Sequence, residues 1–233
     1  KGYLYAFGWL GTAVHEIGHA IFAVIFGHKI TEMKLFSPDP ESGTLGYVSH
    51  SYNKRSIYQN IGNFFIGIGP IILGSLFLYL ITYLLFRFNV MQLNSISLNI
   101  GQGFELSMIT GFISDVWNSS VDYVHYIFYS GNFTWWKLVI ALYVLFSVGS
   151  SITLSAPDVQ GSMSGFVYFV ITLLVFNLIT FWLGDFTLNF FRQIGVLFSG
   201  FYFLIIISIL INIGFIIILS FALVFKRNRI SKY

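Results

Sequence analysis

The chain has 233 residues, of which 56% are hydrophobic, 20% aromatic and only 9% charged, with a mean hydropathy of +0.79. A soluble domain carries about a quarter charged residues, so this composition excludes a water-soluble globule and reads as an integral membrane protein. With no Cys in the chain, disulfides and thiolate metal ligands are excluded. The net charge of +3, gathered in Lys226, Arg227, Arg229 and Lys232, is an orientation signal and not a nucleic-acid surface.

Five apolar segments, roughly 3–27, 57–86, 134–154, 164–184 and 197–225, approach or exceed the ~20 residues needed to cross a bilayer. No internal repeat or low-complexity linker divides them. The expected architecture is an all-α polytopic membrane protein with about five transmembrane helices, folded as a single domain over residues 1–233. The chain begins Lys1-Gly2-Tyr3 with no Met, as expected of a fragment or processed product in which an upstream helix could be missing. A cytoplasmic C-terminal tail puts loops 28–56 and 155–163 on the cytoplasmic side, and Lys29, Lys34, Lys54 and Arg55 agree with that. Loop 87–133 then lies outside, with Glu105, Asp115 and Asp122 against Arg87. A multi-pass protein of a bacterial-type plasma or inner membrane is expected.

The first span contains His15-Glu16-Ile17-Gly18-His19. On a helix this spacing puts His15 and His19 on one face, one turn apart, so two imidazole nitrogens can share one metal ion. Glu16 is turned about 100° from His15. That position suits a carboxylate that holds and deprotonates the attacking water rather than ligating the metal, which makes Glu16 the candidate catalytic base. Three ionisable side chains are costly to insert in so apolar a segment, so they are expected to face a protein interior or a wet cavity. Buried histidines bonding neighbouring helices are the bland alternative. That alternative explains a lone membrane His better than it explains H-E-x-x-H, so one Zn²⁺ is the expected cofactor.

After the first span, Lys29–Phe36 and Thr44–His50 alternate, are rich in β-formers, and flank a Pro/Asp/Gly-containing turn over 37–43. A small β-hairpin at the membrane surface is predicted. It is either a packing flap or an exposed edge that pairs with an extended peptide, so 29–50 is the candidate substrate-binding region. In the second span Pro70 predicts a kink, and Gly62, Gly67, Gly69 and Gly74 allow close backbone approach. Leu106, Ile109, Ile113, Val116 and Trp117 recur at helical spacing, which predicts an amphipathic interfacial segment between the second and third spans. Trp135, Trp136 and the tyrosines from Tyr123 to Tyr129 read as an interfacial aromatic belt.

A catalytic zinc site takes about three protein ligands and leaves one position open. His28 and His50 flank the hairpin, and His125 is predicted on the opposite side. Asn177 and Asn212 are weak zinc ligands that suit bonds between helices. Asp158, in Ser155-Ala156-Pro157-Asp158-Val159-Gln160-Gly161, enters the fourth span from the side where the His15–His19 helix ends. It is the candidate third ligand. Ser155 and Asp158 also read as a capping-box-like helix start with Pro157 in the first turn, and the two roles are compatible.

With these pieces assembled, the chain resembles the site-2 protease family of intramembrane zinc metalloproteases. The matching parts are His15-Glu16-Ile17-Gly18-His19 in a membrane helix, a hairpin-like segment after it, Gly69-Pro70 in the next span, and Asp158 near the start of a later one. In the family's usual third-ligand segment an Asn and a Pro precede an adjacent Asp-Gly pair. Here Pro157 directly precedes Asp158, Gly161 follows three residues later, and no matching Asn is present, which marks a divergent branch. The span that commonly precedes the metal-binding helix, and any PDZ-like insert, are not seen. The resemblance implies hydrolysis of a peptide bond of a membrane protein within or near the bilayer. Zinc would polarise the scissile carbonyl, with Glu16 as general base that later passes the proton to the leaving amine.

Two other readings compete. One is a protein of the same fold that has lost proteolysis and acts as a binding or regulatory subunit; Glu16 argues against it, because a structural zinc site needs no base. The other is a metal transporter, disfavoured because the polar residues cluster at one depth. The implied partners are a membrane-protein substrate and the bilayer, with a further protein partner left open and no nucleic acid.

Overall fold

The structure, a computed structural model, describes residues 4–39, 41, 43–89, 106–181, 203–218 and 220–221. It is mostly helical, with one small two-stranded antiparallel sheet. A π-helical turn over Leu4–Gly8 runs directly into α1, Trp9–Ile25. Strands β1, Lys29–Lys34, and β2, Tyr47–Ser51, follow, then α2, Ile57–Phe86. The remaining helices are α3, Leu106–Tyr129, α4, Trp135–Ser151, α5, Ala156–Thr180, and α6, Phe203–Ile218. Of these, α2 and α5 are long and apolar enough to cross a membrane, and α4 and α6 are shorter apolar helices.

Gly27 ends α1. Its φ of 71° is readily reached by glycine. The Gly27 N–H then returns to the Val24 carbonyl at 3.0 Å and the His28 N–H to the Ala23 carbonyl at 2.8 Å, a Schellman closure that drops the chain into β1. The strands pair antiparallel from Lys29↔Ser51 to Lys34↔Tyr47, with a bulge where Thr31 has no partner between Ile30↔His50 and Glu32↔Ser49. The Thr31 hydroxyl donates to the Ser49 carbonyl at 3.0 Å. Within the hairpin, Tyr47 donates its hydroxyl to Glu32 at 2.5 Å and holds that carboxyl below the usual carboxylate range.

Helix α2 is the spine, with α1 and α5 packed against it. Gly18 of α1 meets Gly69 and Pro70 of α2 so closely that a Cβ on Gly18 would stand 2.8 Å from the Gly69 carbonyl. On the other side a Cβ on Gly67 would stand 2.7 Å from the Asp158 carbonyl of α5. These small-residue crossings let three backbones converge around one point. Away from them an apolar core that includes Leu78, Phe86, Tyr123, Val144, Val148, Phe203 and Leu204 joins α2, α3, α4 and α6.

Several expectations meet the structure directly. The hairpin is present, with strands slightly shorter than the alternating pattern. The second span matches α2 in extent, and loop 87–133 contains α3. Helix α5 begins at Ala156, earlier than an apolar window suggests, because its first turns carry Asp158, Gln160 and Ser162. The acidic residue Glu105 and the basic tail Lys226–Lys232 lie outside the described residues.

Candidate metal centre

Helix α1 puts His15 and His19 on one face, and both side chains are oriented by carbonyl oxygens from other helices. The Nδ1–H of His15 donates to the Ser151 carbonyl, at the end of α4, at 2.5 Å. The Nδ1–H of His19 donates to the Ile66 carbonyl of α2 at 2.7 Å. A carbonyl only accepts, so each neutral ring carries its proton on Nδ1 and presents a bare Nε2. The two Nε2 atoms lie 3.1 Å apart. Two bare acceptors facing each other at that distance are unfavourable unless a cation sits between them.

Asp158 supplies a carboxylate at the same point. Its Oδ1 is 3.2 Å from His19 Nε2 and its Oδ2 is 3.7 Å from His15 Nε2. The three ligand atoms lie within 4.8 Å of one another. Neighbouring ligands on a tetrahedral zinc are separated by about 3.3 Å at the usual bond lengths, so the separations seen bracket that value and the residues fit such an ion. Asp158 also completes the cap of α5. Its Oδ2 accepts the Ser155 N–H at 2.8 Å and the Ser155 hydroxyl at 2.6 Å. The cap therefore ties one carboxylate oxygen and leaves Oδ1 turned to His19, the arrangement by which outer groups orient a ligand.

Glu16 is 5% exposed and lines a cavity of about 770 Å³ together with Thr12, His15, His19, Asn63 and Asp158. The stretch from Gly43 to Val48 forms another wall of that cavity. Gly46 comes so near that a Cβ there would stand 3.0 Å from Glu16 Cγ. The hairpin is thus brought against the candidate base.

Residues 1–109 match a family model described as Peptidase M50B-like. This part of the chain is similar to the site-2 protease-like family. No curated protein and no solved structure gives a match. A match confined to residues 1–109 is consistent with a divergent branch. It contains His15, Glu16, His19, the hairpin and Gly69-Pro70, and ends before Asp158. The fold, not the family match, brings Asp158 to the histidines.

The bond from His19 to Ile66 gives Pro70 a role. Proline has no N–H, so Pro70 leaves the carbonyl four residues earlier without its helical donor. That carbonyl belongs to Ile66, and it is the one that accepts from His19. Spacing alone does not reveal the backbone acceptors Ile66 and Ser151, since every residue has a carbonyl; Pro70 was the available signal. Among the residues set aside as ligands, His125 stacks on Tyr129 at 4.5 Å. Asn212 donates to the Phe146 carbonyl of α4 at 3.3 Å, a bond between helices as expected, and to the Ser208 carbonyl of its own helix at 2.9 Å. Asn177 is exposed on α5. His50, by contrast, lines the cavity.

Proposed function

We propose that the protein is an intramembrane zinc metalloprotease that hydrolyses peptide bonds of membrane proteins within or near the bilayer. The observation that carries this reading is the meeting of two bare imidazole nitrogens and a carboxylate beside a buried Glu16, in the wall of a cavity large enough for a peptide segment. His15, His19 and Asp158 would hold the ion, which when bound supplies Lewis acidity at the reacting carbonyl and acidifies water. Glu16 takes the proton of the attacking water and returns it to the leaving amine nitrogen. The hairpin supports entry of an extended segment: a transmembrane helix has its carbonyls tied in intrahelical bonds and must unwind, and pairing along the 44–48 wall replaces part of what it loses.

The reading includes five membrane crossings, with the hairpin, the cavity mouth and the C-terminus on the cytoplasmic side. Its support is the basic loop 28–56 and the two long apolar helices. The test is zinc content and hydrolysis of a labelled transmembrane peptide by detergent-purified protein, beside Glu16→Gln and Asp158→Ala. About one zinc per chain is expected in wild type and Glu16→Gln, with hydrolysis lost by about 10³-fold or more in Glu16→Gln, and zinc lost in Asp158→Ala. Equal activity of wild type and Glu16→Gln in every assay would favour a binding subunit instead.

A further inference from the structure

His28 and His50 form a second imidazole pair that the proposed chemistry does not use. His28 is 6% exposed, and its Nε2 lies 2.8 Å from the Gln59 carbonyl oxygen. That oxygen only accepts, so the neutral His28 ring carries its proton on Nε2 and its Nδ1 is bare. The Nδ1 of His50 stands 3.0 Å away. Facing a bare nitrogen, it must donate. His50 therefore carries its proton on Nδ1 and leaves Nε2 bare, the opposite tautomer to its partner. No bond to that Nε2 is formed among the described residues, and His50 lines the same cavity as Glu16 and Asp158.

Local structure holds this arrangement. The bulge at Thr31 falls immediately beside the Ile30↔His50 pair, and bulges of this kind re-aim side chains near functional sites. The Tyr52 ring stacks on His28 at 4.9 Å with the planes 16° apart. Gln59 is itself fixed, donating to the Gly27 carbonyl at 2.7 Å and accepting the Asn53 N–H at 2.6 Å. Burial, with the nearby imidazoles of His28 and then His19, holds His50 below the usual histidine range. The pair differs from His15 and His19, where both facing nitrogens are bare. Between His28 and His50 one nitrogen donates to the other, and no third ligand group joins them among the described residues.

We propose that His50 is a further substrate-binding residue, whose bare Nε2 accepts a hydrogen bond from a backbone N–H of a peptide lying extended in the cavity, and that His28 is the positioning residue that keeps that nitrogen bare. The occupant, a peptide, rests on the protease reading above. A nitrogen that can accept but not donate selects N–H groups over carbonyls. An unwound membrane helix brings N–H groups into the cavity that need new acceptors.

The test has two arms that fail separately. In ¹⁵N-histidine spectra of the zinc-loaded, detergent-solubilised protein, His50 should show a pyridine-type Nε2 and a pyrrole-type Nδ1, and His28 the reverse. The His50 pattern should be lost in His28→Ala. A pyrrole-type Nε2 on His50 overturns the proposal whatever the chain does to peptides. The second arm measures the affinity of a dye-labelled Leu/Ala/Gly transmembrane peptide for the Glu16→Gln protein. Adding His50→Ala should weaken it about tenfold, the effect of leaving one amide without its acceptor. His50→Gln, which offers an amide oxygen, should recover part of the loss. In the Glu16-containing chain, His50→Ala should raise KM with kcat within about twofold. No peptide binding, or equal affinity with and without the His50 imidazole, overturns the proposal. So does a second zinc per chain that disappears in His28→Ala. His50-dependent binding with no hydrolysis by wild type would sink the protease reading while leaving His50 as a peptide contact.

Discussion

At Ile66 the carbonyl oxygen lacks its usual helical donor because Pro70 stands four residues on, and the His19 imidazole supplies an N–H in its place at 2.7 Å. The two halves of this arrangement respond oppositely to one substitution. Pro70→Ala removes a residue that costs a helix interior about 3 kcal/mol and gives Ile66 a backbone donor that competes with His19. The expected outcome is a metal-free protein at least as heat-stable as wild type, with zinc affinity lowered about tenfold, as for other losses of an outer hydrogen bond. Thermal unfolding of the metal-free protein and a zinc titration check this; stability and affinity falling together would speak for a general packing defect instead. Among single residues the sequence was legible where the chemistry is local. His15 and His19 are one helical turn apart, so their shared face follows from periodicity. Asp158 could be reached only because acidic residues are scarce in this chain, and its position next to His19 depends on two helix crossings that no local pattern encodes. The tautomers of His28 and His50 depend on one carbonyl, one turn and one bulge, none of them visible as side-chain chemistry.

Among the elements, α2 decides whether the ligands meet. The α2–α5 crossing rests on Gly67, and the Ser162 hydroxyl donates to the Phe64 carbonyl at 3.1 Å beside it. Gly67→Ala adds one methyl group against the Asp158 backbone, so α5 must shift. Overpacking of this kind costs about 1–3 kcal/mol. Zinc content should fall toward that of Asp158→Ala even though all three ligand side chains are intact. Gly214→Ala, which places its methyl in open space on α6, should leave zinc content unchanged. Normal zinc content in Gly67→Ala would show that α5 can be displaced without moving Asp158. The helices and hairpin were readable from hydropathy and alternation because each is a local, repetitive pattern. The start of α5 was readable only as a cap, since its polar first turns hide it from hydropathy.

For the whole molecule, the apolar surface left outside the fold is large. On α5, Leu174, Leu178 and Ile179 are each at least 60% exposed, as suits a helix whose outer face meets lipid. Because the chain has no Cys, single cysteines report sidedness without background. Asp39→Cys in the hairpin turn and Asp122→Cys in α3 should be labelled by a membrane-impermeant reagent from opposite sides, Asp39→Cys only after access to the cytoplasmic face. Labelling of both from one side would overturn the proposed topology. The sequence could support sidedness only through the uneven distribution of Lys and Arg, because a helix crosses equally well in either direction.

The placement of the ligands has a further consequence for how the molecule stays together. Residue 19 and residue 158 lie far apart in the chain, and an ion held between them closes the long loop formed by everything in between. In a chain without disulfides that ion would be a reversible cross-link, stabilising the folded state by mass action because the unfolded chain offers it no preformed site. It would fasten α5 to α1, which carries Glu16. On the proposed reading, metal occupancy and the docking of α5 would form one equilibrium, and whatever drew the ion away would also loosen the wall of the cavity.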